Sequence, residues 1–130
     1  MDDKIKNAFV DTLKGKPVAK DVFGTVIGKG DFICWGAGSQ KASQLNFGRV
    51  MKINYKKDYN GIERVSSVTC KVMKQHMDWD YRAKIKEGKV PAPREVKGFH
   101  ISHRKQAVTS FQSSWVLDNP PEAMLELFNE

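Results

Sequence analysis

The side chains in this chain that could do chemistry are few and scattered: His100-x-x-His103, His76, Cys34, Cys70, and the carboxylates Asp78 and Asp80. Residues three apart on a strand face opposite sides, so His100 and His103 suit a metal only if the backbone turns between them. No CxxC pair accompanies them, and they read as ordinary surface histidines. Asp78 and Asp80 fall at the start of a short helical pattern, where their side chains are expected to point apart and to serve the first turn. Gly28-Lys29-Gly30 carries two glycines but lacks the full P-loop and dinucleotide patterns, and no helical pattern follows it. No nucleophile elbow is present. These residues point away from an enzyme, and no metal or other cofactor is expected.

Charge is the stronger signal. The chain of 130 residues carries a formal net charge of +7. Between Arg49 and Lys105 there are 15 Lys or Arg against 6 Asp or Glu, while the segment from Asp118 onward has 4 acids and no base. A basic surface interleaved with aromatics can hold a nucleic-acid strand through phosphate contacts and base stacking. The expected phosphate contacts are Arg49, Lys52, Lys56, Lys57, Arg64, Lys71, Lys74, Arg82 and Lys84, with Tyr55, Tyr59, Trp79 and Tyr81 for stacking.

The elements that must position these residues are mostly strands. Asp2 and Asp3 precede Ile5, Phe9, Val10 and Leu13 at helical spacing, which predicts a short N-terminal helix packing on a sheet. Asp21–Ile27 is rich in β-branched and aromatic residues and predicts a first strand. After a turn at Gly28–Asp31, the apolar run Phe32–Trp35 predicts a second strand. Phe32 and Cys34 are expected in the core, with Trp35 on the other face under a cover such as the N-terminal helix. Gly36–Gln44 reads as a polar loop before a half-buried strand whose Met51 and Ile53 supply core.

Asn60-Gly61 is the strongest hairpin signal, and Val65, Val68, Cys70 and Val72 continue the next strand. Residues 75–97 read as an insertion or long loop holding one helix, Asp78–Glu87. Phe99 and Ile101 resume alternation and Phe111–Leu117 predicts a last strand. Asn119 as a cap, followed by Pro120, starts a closing helix with Met124, Leu125, Leu127 and Phe128 on its apolar side. One domain spanning 1–130 is expected, mainly β, with five or six strands in a small, strongly bent barrel and a short helix at each end. The first choice is an SH3-like barrel and the alternative is an OB-like one.

Gly30-Asp31-Phe32-Ile33-Cys34-Trp35 followed by Phe47-Gly48-Arg49-Val50-Met51-Lys52-Ile53 resembles SH3-like barrels of the KOW and Tudor type. Phe111–Phe128 is similar to the strand-then-helix ending of small bacteriophage-encoded proteins. The resemblance implies the barrel fold, and such barrels bind RNA, ribosomal or polymerase surfaces, or modified peptides. The expected function is therefore a non-enzymatic nucleic-acid-binding module working through DNA or RNA. The alternative is a protein-interaction module, such as a phage factor that docks on an acidic host protein. A partly open barrel leaves an edge through which a homodimer could form. Cys34 and Cys70 are expected as buried thiols in a reducing compartment. No segment is apolar enough to span a membrane, and the N-terminus lacks a signal-peptide core, so the expected location is cytoplasmic.

Overall fold

In the computed structural model the described residues are 16–39 and 42–129. They form a mainly β structure of eight strands with two α-helices. The strands are β1 (Ala19–Lys20), β2 (Val26–Ile27), β3 (Phe32–Ser39), β4 (Ala42–Lys57), β5 (Glu63–Lys74), β6 (His100–Ile101), β7 (Gln106–Val108) and β8 (Trp115–Val116). The helices are α1 (Trp79–Lys86) and α2 (Glu122–Phe128), and a 3-10 turn covers Phe111–Ser113. The expected N-terminal helix lies outside the described residues.

β1 and β2 form a separate two-stranded sheet, while the main sheet has the order β6-β5-β4-β3-β8, with β7 also on β5. Its backbone is the antiparallel run β3–β4–β5, and the long β4–β5 pair slips register between Val50 and Lys52 and again between Asn54 and Tyr55. Such bulges bend and twist a hairpin. The bend expected of a barrel is therefore present, but β8 does not reach β6 or β7 and the sheet is not closed into a barrel. The open side is filled instead by the β1–β2 hairpin and the 3-10 turn, which bury Ala19, Ile27 and Phe111 against the sheet.

Register and alternation assign the two faces. One face carries Ile33 and Trp35 from β3, Val50 from β4, and Val68, Cys70 and Val72 from β5, all in the larger core. The other carries Phe32, Phe47 and Met73, covered by Met124, Leu127 and Phe128 of α2. This reverses the expected assignment of β3: Trp35 sits in the main core and Phe32 lies under the closing helix. Trp35 fits because its ring lies over Gly48, where a built Cβ would approach the indole Cη2 to 3.0 Å. Met51, at the first bulge, is only partly buried.

Four further expectations are corrected. Asp21–Ile27 is not one strand, because the buried Asp21 carboxylate accepts the amides of Phe23 (2.9 Å), Thr25 (2.8 Å) and Val116 (2.9 Å), folding the segment into a turn. Of the expected loop Gly36–Gln44, the described residues 36–39 and 42–44 are strand, since β3 and β4 stay paired out to Ser39 and Ala42. Phe111–Leu117 is a 3-10 turn followed by β8. Finally, α2 starts later than expected, with Pro121 rather than Asn119 at its N-cap position.

The turn at Gly28–Asp31 is as expected: the Gly28 amide donates to the Asp31 carboxylate at 2.7 Å. Both cysteines are free and buried. They sit on strands separated by β4, roughly two ~4.8 Å strand spacings apart, beyond disulfide reach. Burial pushes the Cys70 thiol up to about 12, so it keeps its proton at neutral pH. No helix among the described residues is long and apolar enough to cross a membrane.

Candidate nucleic-acid interface

The nine expected phosphate contacts separate into groups. On β4–β5, Lys56 is paired with Arg64, Lys52 with Thr69, and Arg49 with Lys71. Directly opposed residues share a face, and all five cations lie on the face opposite Val50, Val68 and Cys70. Between them runs a neutral ladder in which the Asn54 amide donates to Ser67 Oγ (3.0 Å) and Thr69 Oγ1 (2.8 Å). The stripe from Arg49 to Lys56 is roughly 23 Å long at ~3.3 Å per residue. Two like-charged pairs placed directly across the ladder are destabilising in a sheet.

The five cations differ in their ties. Arg49 donates from Nε to the Gly30 carbonyl at 3.3 Å and from Nη1 to the Phe128 carbonyl at 3.2 Å, with its guanidinium over the Phe32 ring. It caps the end of α2 as well as contributing charge. Arg64 donates to Asp58 at 3.1 Å, and Lys52 and Lys56 are exposed. Beside the α2 terminus, a cavity of about 350 Å³ is lined by Arg49, Met51, Lys71, Phe128 and Asn129. A neighbouring one of about 370 Å³ shares Lys71 and adds Arg94, His103 and Lys105. Sequence reasoning did not single out Arg94 or Lys105, whose relation to Lys71 arises only when β6 docks on β5.

Lys57, Lys74, Arg82 and Lys84 do not join the stripe. Lys57 alternates to the core-side face, opposite Glu63. Lys74, three residues past Lys71 at the end of β5, alternates to the opposite face, the one that carries Val72. Arg82 and Lys84 are on α1 rather than on the β4–β5 strands, and Lys84 pairs with Asp80 at 3.4 Å.

The four aromatic positions separate as well. Tyr59, at the β4–β5 tip, is 98% exposed, and Trp79 on α1 is also exposed. Tyr55 is half-buried on the core-side face with Lys16 Nζ 4.3 Å from its ring centre. Tyr81 is buried, its ring 4.3 Å from that of His103, so it is part of the packing under α1.

Around α1 the carboxylates converge rather than point apart. Asp78 is extended (φ −69°, ψ 164°) as the N-cap and accepts the Tyr81 amide at 2.7 Å, so helical spacing does not govern it. Asp78, Asp80 and His103 bring their ligand-type atoms within 4.8 Å of one another. Asp80 Oδ2 already accepts Arg104 at 2.7 Å, and His103 Nε2 and Lys84 Nζ lie at 3.3 and 3.4 Å. Burial pushes the Asp80 carboxyl upward, but His103, Lys84 and Arg104 together outweigh it and hold it below its usual range. The charge a cation would need is thus shared among side-chain partners.

His100 is buried, not a surface histidine. Desolvation lowers its pKa below the ordinary 6.5, with Lys74 acting the same way and Glu95 and Asp78 opposing. The unfolded chain therefore takes up a proton first as pH falls, and the stability from neutral His100 is complete above 6.5 and lost below it. Thermal unfolding is expected to shift to lower temperature between neutral pH and about pH 5. His100→Leu is expected to flatten that dependence, and an unchanged slope in the variant would refute the assignment.

An apolar surface that the sequence did not signal lies at the other edge of the sheet. Val22, Phe23 and Trp115 are exposed, with Phe23 and Trp115 in edge-to-face contact at 5.8 Å. The chain matches no protein-family model, no curated protein and no solved structure.

Proposed function

We propose that this chain is a non-enzymatic nucleic-acid-binding module that uses the outer face of the β4–β5 hairpin. The observation that carries the reading is the register of that hairpin. Arg49, Lys52, Lys56, Arg64 and Lys71 share one face, with Lys56 opposite Arg64 and Arg49 opposite Lys71. Like charges opposed across strands cost stability, and a polyanion laid along the stripe relieves that cost while releasing its own counterions. The SH3-like relationship of KOW or Tudor type belongs to this reading. It is supported by the Gly30-Asp31 turn into β3 and by the Gly48 strand that follows.

A second reading, docking on a protein partner, is favoured by the exposed Val22, Phe23 and Trp115 cluster, since contiguous apolar surface of this kind is typical of protein contacts. The test between them is oligonucleotide binding across a salt series. Five phosphate contacts predict a slope of log K against log salt of roughly −3.5 to −4.5, from about −0.7 to −0.9 per contact. A flat response, or no binding at low salt, overturns the nucleic-acid reading.

A further inference from the structure

We infer that the ligand of the basic stripe is a single-stranded polynucleotide and that Tyr59 is the post on which one of its bases stacks. The inference rests on the nucleic-acid reading above and adds the strandedness of the ligand. Tyr59 is 98% exposed and contributes no packing to the fold. The turn that carries it is nevertheless tightly held. The Asp58 carboxylate accepts the amides of Asn60 (2.9 Å) and Ile62 (3.0 Å) and the Arg64 guanidinium (3.1 Å). The Asp58 amide donates to the Ile62 carbonyl at 2.9 Å, and Gly61 supplies the left-handed residue at φ 79°. Because a rigid turn holds out the ring, ordering it on binding costs little conformational entropy.

The stripe is two files of cations on adjacent strands, ~4.8 Å apart, a width that follows one phosphate backbone. A duplex presents its two backbones across grooves of roughly 6 and 12 Å, and the second backbone would find no matching file. The stripe and the aromatic meet where Lys56 and Arg64 reach the tip, beside a cleft of about 460 Å³ bordered by Tyr59, Arg64 and Ser66. A backbone running along the stripe thus brings its bases to Tyr59, the arrangement by which single strands are held without sequence preference.

The test is fluorescence anisotropy with a labelled oligothymidylate, the matching oligouridylate and a duplex of equal length. Wild type, Tyr59→Ala, Tyr59→Phe and Lys56→Gln are compared over a salt series. The single strands are expected to bind more tightly than the duplex, and the tighter of DNA and RNA identifies the source of the strand. Tyr59→Ala is expected to weaken single-strand binding about 5- to 150-fold with an unchanged salt slope, because a stacked base and no phosphate contact is lost. Tyr59→Phe keeps the ring and stays near wild type. Lys56→Gln lowers the slope by about 0.7 to 0.9. Duplex binding as tight as single-strand binding, or a Tyr59→Ala variant as tight as wild type, overturns the inference while the Lys56→Gln result upholds the stripe. Absence of salt-dependent binding in every protein removes both readings together.

Discussion

Replacing Trp35 with alanine is expected to lower folding stability by about 3–5 kcal/mol, the range for removing a large buried aromatic. Against a total of roughly 5–15 kcal/mol for a domain, that places the variant at the edge of folding. Trp35 is 2% exposed and joins β3 to the β1–β2 cover through the main core. Its ring fills the space left by Gly48, where an added Cβ would lie 2.7 Å from the Lys71 carbonyl oxygen and 3.2 Å from Cys70 Cβ. The carbonyl belongs to the sheet ladder and cannot withdraw. Gly48→Ala is therefore expected to cost about 1–3 kcal/mol although it adds only one methyl group. Trp35→Phe should be the mildest change, because the indole Nε1 is buried without a hydrogen-bond partner among the described residues and phenylalanine removes that cost. Urea unfolding of the three variants checks the order. A Trp35→Ala protein as stable as wild type would show that the core is not centred on this residue.

Reversing charge along the stripe has the largest expected effect on binding. The double variant Lys52→Glu, Lys56→Glu should reduce the magnitude of the salt slope by about 1.4 to 1.8, at ~0.7–0.9 for each lost phosphate contact. Affinity at low salt should fall by orders of magnitude. Arg49 is left intact in this design because it holds the Phe128 carbonyl, and its loss would confuse binding with folding. The single change Lys56→Glu separates function from stability more sharply. It replaces a like-charged pair with an opposite one across from Arg64, for which a cross-strand gain of about 0.2–1 kcal/mol is expected. That variant should therefore melt at a slightly higher temperature and bind less tightly. Melting curves and anisotropy on the same preparation test this, and a variant that melts lower or binds as well as wild type counts against the stripe. Arg64→Glu would be less clean, because it also takes a donor from Asp58, whose carboxyl is held low chiefly by the Ile62 amide and further by Arg64.

What the sequence by itself determined was local. The Gly28–Asp31 turn, the Asn60-Gly61 hairpin and the existence of a short helix near 78–87 were legible because each depends on a few neighbouring residues whose backbone preferences are intrinsic, whereas the role of Asp78 as its cap was not. Period-two alternation likewise marked β4 and β5 as half-buried strands, and composition put the positive charge downstream of Arg49. Tertiary structure decided which face of β3 meets the main core, since Ile33 and Trp35 are as apolar as Phe32 and Cys34 and only the open side filled by β1, β2 and the 3-10 turn distinguishes them.

It also decided the break at Asp21, where residues suited to a strand turn because Val116, far away in sequence, supplies an amide to the same carboxylate. The site was sorted in the same way. Nine basic residues looked equivalent in the chain, but two bulges shift the alternation so that Arg49, Lys52 and Lys56 share a face with Arg64 and Lys71, while Lys57 turns to the other. A bulge changes which face a residue takes, and its position is set by the partner strand. For that reason the charge was readable from the sequence, and the stripe only from the fold.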